Sequence, residues 1–309
     1  MPTRPLDTSA PSPIDTSRPF GAHVRMNRWK PLVIVSVLPV GMVLLQIVFY
    51  YAAAMIEGRD DPLTNEMTPL TLLANNLSVG ATGLLAVSFV ARLAEVPWRS
   101  LLSSSRRLDS RRWKVYSGGS TLLVAAGVAL VALVAPADTG WTGFEITNTT
   151  VALLLVVVLT TPLQAAGEEL IFRGTMLPAI ASWVPTARRA LLTGLVGSSI
   201  VFALIHGSAD PWLLGYFTVV GVCTGLMAVI SRGLEAPIAF HVCNNLVVTL
   251  LNSLFADGGT STYERSVGAG GPSYLILAAV NLAVVGLVWL CERGWHRPAR
   301  GRTDRTNRG

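Results

Sequence analysis

The sequence predicts an all-α, polytopic helical membrane protein with about eight transmembrane helices. Composition is the first sign. Of 309 residues, 51% are hydrophobic and 14% charged, against roughly 25% charged in a soluble globular chain, and the mean hydropathy is +0.52. The second sign is a series of apolar runs, each near the ~20 residues that cross about 30 Å of hydrocarbon at ~1.5 Å per residue. They are too long and continuous for the ~10-residue alternating strands of a membrane barrel. Helices satisfy their own backbone in lipid. The third sign is charge, which alternates between the connections.

Residues 1–30 are rich in Pro, Ser, Thr and Arg without apolar periodicity, and are expected to form a disordered cytoplasmic N-terminal arm. The first run spans 31–54. Its end, Ala52-Ala53-Ala54, imitates a signal-peptidase site. The arm before it is long, however, and the run exceeds the 7–15 residues of a signal core, so a retained span is favoured. Further runs follow at 68–91, 118–136, 148–167, 190–206, 212–231, 236–255 and 272–291. The multi-helix membrane domain therefore covers 31–292, and 293–309 is a basic cytoplasmic tail. Only the connections 92–117 and 256–271 are long; the second, rich in Gly, Ser and Thr, reads as a flexible external loop.

The connections carry opposite charge in turn. Arg4, Arg18, Arg25, Arg28 and Lys30 precede the first span; Glu57, Asp60, Asp61 and Glu66 follow it. Arg92, Arg99, Arg106, Arg107, Arg111, Arg112 and Lys114 come next, then Asp138 and Glu145. Arg188 and Arg189, Asp210, Arg232, and then Asp257 and Glu264 beside Arg265 continue the pattern, and six arginines close the chain from Arg293 to Arg308. By the positive-inside rule both termini are cytoplasmic, in the plasma membrane if the source is bacterial. The formal charge of +6 is explained by these flanks, so a nucleic-acid partner is not expected; membrane lipids are. Cys223, Cys243 and Cys291 are odd in number and lack metal spacing, which suggests neither a disulfide framework nor a thiolate zinc site.

Ionisable residues inside a membrane are costly and functional by default. Here they gather in three places: Glu168 and Glu169 with Arg173, His206, and His241. Glu169 and Arg173 are four apart and share a helix face. Phe202 and His206 form a second such pair, and His241 and Asn245 a third. Glu168 points about 100° away from Glu169, free for another task. A hairpin of 168–185 and 186–206, turning near Pro185, brings Glu168 and His206 to similar depth. His241 follows closely on the 232–237 turn, so the site lies toward the cytoplasmic side. These residues suit hydrolysis. A buried carboxylate can take a proton from water, and His241 and Asn245 can donate to a developing oxyanion. Alternatively Glu168, His206 and His241 are good ligands for a divalent metal, zinc first, which would lower the pKa of its water.

The three pairs, in order on separate helices, resemble the EExxxR, FxxxH and HxxxN motifs of the CPBP family, the CAAX prenyl endopeptidases of Ras-converting-enzyme type and the bacteriocin-processing or self-immunity proteins. The resemblance covers the motif-bearing core, 150–250. It implies an intramembrane peptidase with an eight-helix core. Glu168 would be the base that activates water, assisted by His206; Glu169, Arg173 and Phe202 would support, and His241 and Asn245 would complete the site. The family is usually called metalloprotease, and a metal-free glutamate mechanism is also argued for it. The substrate implied is a peptide or protein, lipidated in the CAAX case. The competing readings are a non-catalytic membrane immunity or scaffold protein of the same fold, and a proton-coupled transporter. The transporter lacks the paired halves such proteins show.

Overall fold

The computed structural model describes residues 12–104 and 109–295. In chain order the helices are α1 (Trp29–Glu57), α2 (Pro69–Ala94), a short α3 (Trp98–Leu102), α4 (Ser110–Val134), α5 (Asn148–Glu169), a π-helical turn (Leu170–Met176), a short α6 (Leu177–Ala181), α7 (Ala187–Ile205), α8 (Pro211–Ser231), α9 (Glu235–Leu254) and α10 (Tyr274–Trp295). With α5, the π-turn and α6 taken as one element, eight helices among the described residues are long and apolar enough to cross a membrane. The only sheet there pairs Glu66–Met67 antiparallel to Ser261–Thr262.

Local chemistry sets the helix ends. The Thr68 hydroxyl accepts from the Thr71 N–H, with Pro69 in the first turn, and Asp210 accepts from Trp212 and Leu213 N–H ahead of α8; each satisfies donors the helix leaves orphaned. Thr147 and Thr150 form a reciprocal capping box for α5. Two spans outrun the apolar runs. α4 starts at Ser110, capped by Asp109, so its first turn, Ser110-Arg111-Arg112-Trp113-Lys114, is polar. The fourth helix runs on past the diglutamate to Ala181.

On α1 the buried Pro31, Ile34, Leu38 and Met42 recur every three or four residues. They form one inward stripe, while Leu32, Val40, Leu44 and Val48 are left exposed, as a lipid-facing surface requires. Around the bundle, α1 packs on α2, α2 on α5, α5 on α9, α9 on α4, α4 on α10, α10 on α8 and α8 on α7. The π-turn lies inside this ring, touching α1, α2, α7 and α8.

The two ends of the bundle are chemically distinct. At one, the connections after α1, α4, α7 and α9 join: Glu66–Met67 pairs with Ser261–Thr262, Thr142 N–H bonds Phe255 O, and Ala209 N–H bonds Arg265 O. The 256–271 segment is thus pinned by backbone bonds, where a flexible loop was expected. At the other end Leu234 N–H bonds Leu102 O and Ser103 pairs with Gly233. That end carries Arg99, Arg188, Arg189 and Arg232. It also holds a buried clamp in which Glu292 accepts from Arg112 and Tyr116, with Arg112 over the Trp295 ring.

The arm expected to be disordered is folded over its described part, 12–28; residues 1–11 and the tail from 296 lie outside the described residues. Ile14 and Val24 pair across a tight reversal. Phe20, Ala22, His23 and Val24 are all buried. Phe20 packs with Leu234, Leu102, Leu170 and Ile238. Arg18 donates to Pro185 O, and the Trp183 indole donates to Arg28 O at 2.8 Å. Composition misled here because the segment hides few apolar groups, and the surface that receives them lies on helices remote in sequence.

Candidate active site

The site begins where α5 touches α2. A Cβ on Gly83 would lie 2.6 Å from the Gly167 Cα, and one on Gly167 would lie 2.7 Å from Val79 O. Glycine alone allows this backbone contact, and it sets the position of Glu168 and Glu169 one residue later. The helix then widens into the π-turn 170–176, a feature frequent at functional sites.

Glu169 is fully buried and Arg173 is 1% exposed. Their expected pairing is present, with Nη1 3.3 Å from Oε1. The guanidinium also donates to Gly221 O at 3.1 Å and lies 4.4 Å over the Phe202 ring. Gly221 allows this because α7 and α8 nearly touch there: a Cβ would come within 2.8 Å of Ser199.

His241 stands between the two glutamates. Its Nδ1 is 2.6 Å from Glu169 Oε1 and its Nε2 is 3.3 Å from Glu168 Oε2. One ring nitrogen donates in the neutral form and both donate in the cation. Glu168 is not free in the sense expected from the helical wheel: its Oε1 accepts from Gln164 Nε2 at 2.6 Å. Its Oε2 is buried with no hydrogen bond of good geometry from the protein. Gln164 in turn accepts from Asn245 Nδ2 at 3.1 Å.

His206 occupies the C-terminal end of α7, its Nδ1 2.7 Å from Phe202 O. Its ring stacks on Phe217 at 4.0 Å and tilts against Phe202 at 4.6 Å. Phe202 also meets His241 edge-on at 6.2 Å and Phe172 at 5.0 Å, so one aromatic ring separates the two histidines and Arg173. Arg265, from the pinned 256–271 segment, donates to His206 O. No hydrogen bond or ion pair joins His206 to either glutamate among the described residues.

The structure thus links Glu168, Glu169, Arg173, His241 and, through Gln164, Asn245 by hydrogen bonds and ion pairs, and sets His206 beside them across Phe202. Among the described residues no group of three His, Cys, Asp or Glu side chains is placed to hold a metal ion. His241 sets Nδ1 against Glu169 and Nε2 against Glu168, and His206 holds Nδ1 on the Phe202 carbonyl. Sequence reasoning missed Gln164, Phe217, Gly221 and Arg265. For Gln164 a signal existed, a lone carboxamide one helical turn before Glu168 in an apolar run. For the others the contacts are tertiary and leave no local pattern.

Residues 147–247 match the family described as type II CAAX prenyl endopeptidase Rce1-like. That stretch contains every residue of the three motifs and supports the CAAX protease family. No curated protein and no solved structure matches the chain.

Proposed function

We propose that the chain is an intramembrane endopeptidase that hydrolyses a peptide bond in a membrane-associated, CAAX-like substrate, using water activated by Glu168. At the family level, the match at 147–247 supports a CAAX-type intramembrane protease. The observation that carries the finer reading is the buried carboxylate of Glu168, tethered at Oε1 by Gln164 and facing His241 through Oε2.

A water bound to Oε2 gives its proton to that oxygen as its own oxygen attacks the scissile carbonyl carbon. The carbonyl oxygen becomes an oxyanion and receives the second N–H of the Asn245 carboxamide, since only one is spent on Gln164. Glu168 then returns the proton to the leaving amine as the C–N bond breaks. Water is consumed, one acid and one amine are released, and the carboxylate is regenerated. His241, between two carboxylates, balances charge as Glu168 gains and loses its proton. Glu169 and Arg173 hold that imidazole, and His206 assists from across Phe202. The arginine-rich end of the bundle faces the cytoplasm by the positive-inside rule, so both termini are cytoplasmic.

The test is cleavage of a peptide library by purified protein in detergent, wild type beside Glu168→Ala, with and without chelator. Cleavage by the wild type that the variant loses and chelator leaves intact supports the mechanism. A well-folded wild type without cleavage favours an immunity or scaffold role for the same fold, and chelator sensitivity rules out the metal-free step.

A further inference from the structure

Three side-chain amides in the membrane domain point the same way. Asn244 Nδ2 donates to Asn245 Oδ1 at 3.1 Å. Asn245 Nδ2 donates to Gln164 Oε1 at 3.1 Å, and Gln164 Nε2 donates to Glu168 Oε1 at 2.6 Å. Asn245 and Gln164 each accept at the oxygen and pass an N–H to the next member, so the chain has one direction and ends on an acceptor-only carboxylate. Aligned bonds of this kind polarise one another in a low-dielectric interior. The last amide, Gln164, is only 7% exposed and lies on α5, four residues before Glu168, while both asparagines come from α9.

We infer that Gln164 is a positioning residue that decides which oxygen of Glu168 does chemistry and how Asn245 is turned. This rests on the peptidase reading above. A carboxylate has two equivalent oxygens and rotates freely until one is held. Gln164 holds Oε1, which leaves Oε2 directed at His241 and unbonded. The same side chain takes one N–H of Asn245, whose oxygen accepts from Asn244, and leaves the other N–H for the oxyanion. Base and oxyanion donor come from different helices, and one carboxamide sets the distance between them. A polar side chain that merely bonded α5 to α9, as buried amides in membranes do, would affect stability and leave the chemistry of Glu168 unchanged.

The experiment compares Gln164→Met and Gln164→Glu with wild type in two assays. In cleavage, Gln164→Met is expected to lower kcat about 10–100-fold, the effect of leaving one buried polar group unpaired, with KM little changed. Gln164→Glu keeps the shape but sets a second carboxyl against Glu168. The two would share a proton, and the acid limb of the pH–rate profile should move to higher pH. The second assay needs no turnover. Dicyclohexylcarbodiimide, which adds to protonated carboxyls in apolar surroundings, is followed at Glu168 by mass spectrometry. Gln164→Met, lacking the N–H that holds the ionised form, should be modified faster at neutral pH. Wild-type kcat, pH profile and carbodiimide rate in a folded Gln164→Met protein would overturn the inference; if that variant does not fold, an unshifted profile and rate in Gln164→Glu do so. A wild type that cleaves nothing defeats the peptidase reading, and the carbodiimide rates still decide whether Gln164 controls the carboxylate.

Discussion

Substituting Gly83 with alanine tests whether the contact between α2 and α5 positions the diglutamate. The new Cβ would sit 2.6 Å from the Gly167 Cα and 2.7 Å from its carbonyl oxygen, where ordinary contact begins at 3.4 Å. Both obstacles are backbone, so no side chain can swing aside. The helices must separate by the difference, 3.4 − 2.6 = 0.8 Å, one residue before Glu168. Overpacking of this kind costs about 1–3 kcal/mol, and alanine returns up to about 1 kcal/mol of helix propensity. The net loss of stability is about 0–3 kcal/mol. The effect on catalysis is larger, because a misplacement near 1 Å can cost about 100-fold. Gly286→Ala on α10 is the control, since nothing lies within 4 Å of its added Cβ; it should melt at the same temperature or slightly higher and cleave normally. Thermal unfolding and initial cleavage rates in one detergent read both. A Gly83→Ala protein that melts and cleaves like wild type would refute the claim that this contact places the carboxylates.

Glu168→Gln keeps the shape but cannot take a proton, and should lower kcat about 100–10,000-fold with unchanged melting, measured beside wild type on the same peptide. Arg173→Met removes one partner of a pair that is 1% and 0% exposed and leaves the buried Glu169 carboxylate with His241 alone, a loss of up to about 3–5 kcal/mol; adding Glu169→Gln should recover part of the loss in melting temperature. Phe20→Ala empties the seat among Leu234, Leu102 and Leu170 and should cost about 3–5 kcal/mol, read as faster amide exchange over 12–28 while α2 and α5 stay protected. Burial holds the His23 imidazole below its ordinary 6.5, against the opposing bond to Ser100 O. Below 6.5 the undocked segment gains a proton that the docked one refuses. Docking is therefore unaffected above that pH and weakens as pH falls through it; amide exchange of 12–28 at pH 7.5 and 5.5 should show the change, and His23→Gln should abolish it.

What could be read from the sequence follows the range of the forces involved. Each apolar run announces a span by itself, and alternating arginine reports which ends meet. The Glu169–Arg173 pair was legible because a helix makes residues four apart neighbours. The Gln164 contact obeys the same rule and was passed over because a neutral amide carries no charge to draw the eye. The bond from Gln164 to Asn245 was not legible, since it depends on α5 packing against α9. Nor was the π-turn, which no residue between Leu170 and Met176 announces. Phe20, Ala22 and Val24 do alternate as a buried strand would, but the segment is too short for that signal to outweigh its Pro and Ser content. Arg265 was read as part of a loop because its partner, the His206 carbonyl, exists only once α7 has ended beside it.

The packing of residues 12–28 carries a consequence for how the protein is made. This segment leaves the ribosome before its seats, which are built from Ser100, Leu177, Val184, Leu191 and Leu234. It must wait undocked on the membrane surface while six of the eight candidate spans, through α8, are made. Its closure therefore follows the synthesis of α8, and its protection from protease marks chains made at least as far as Leu234.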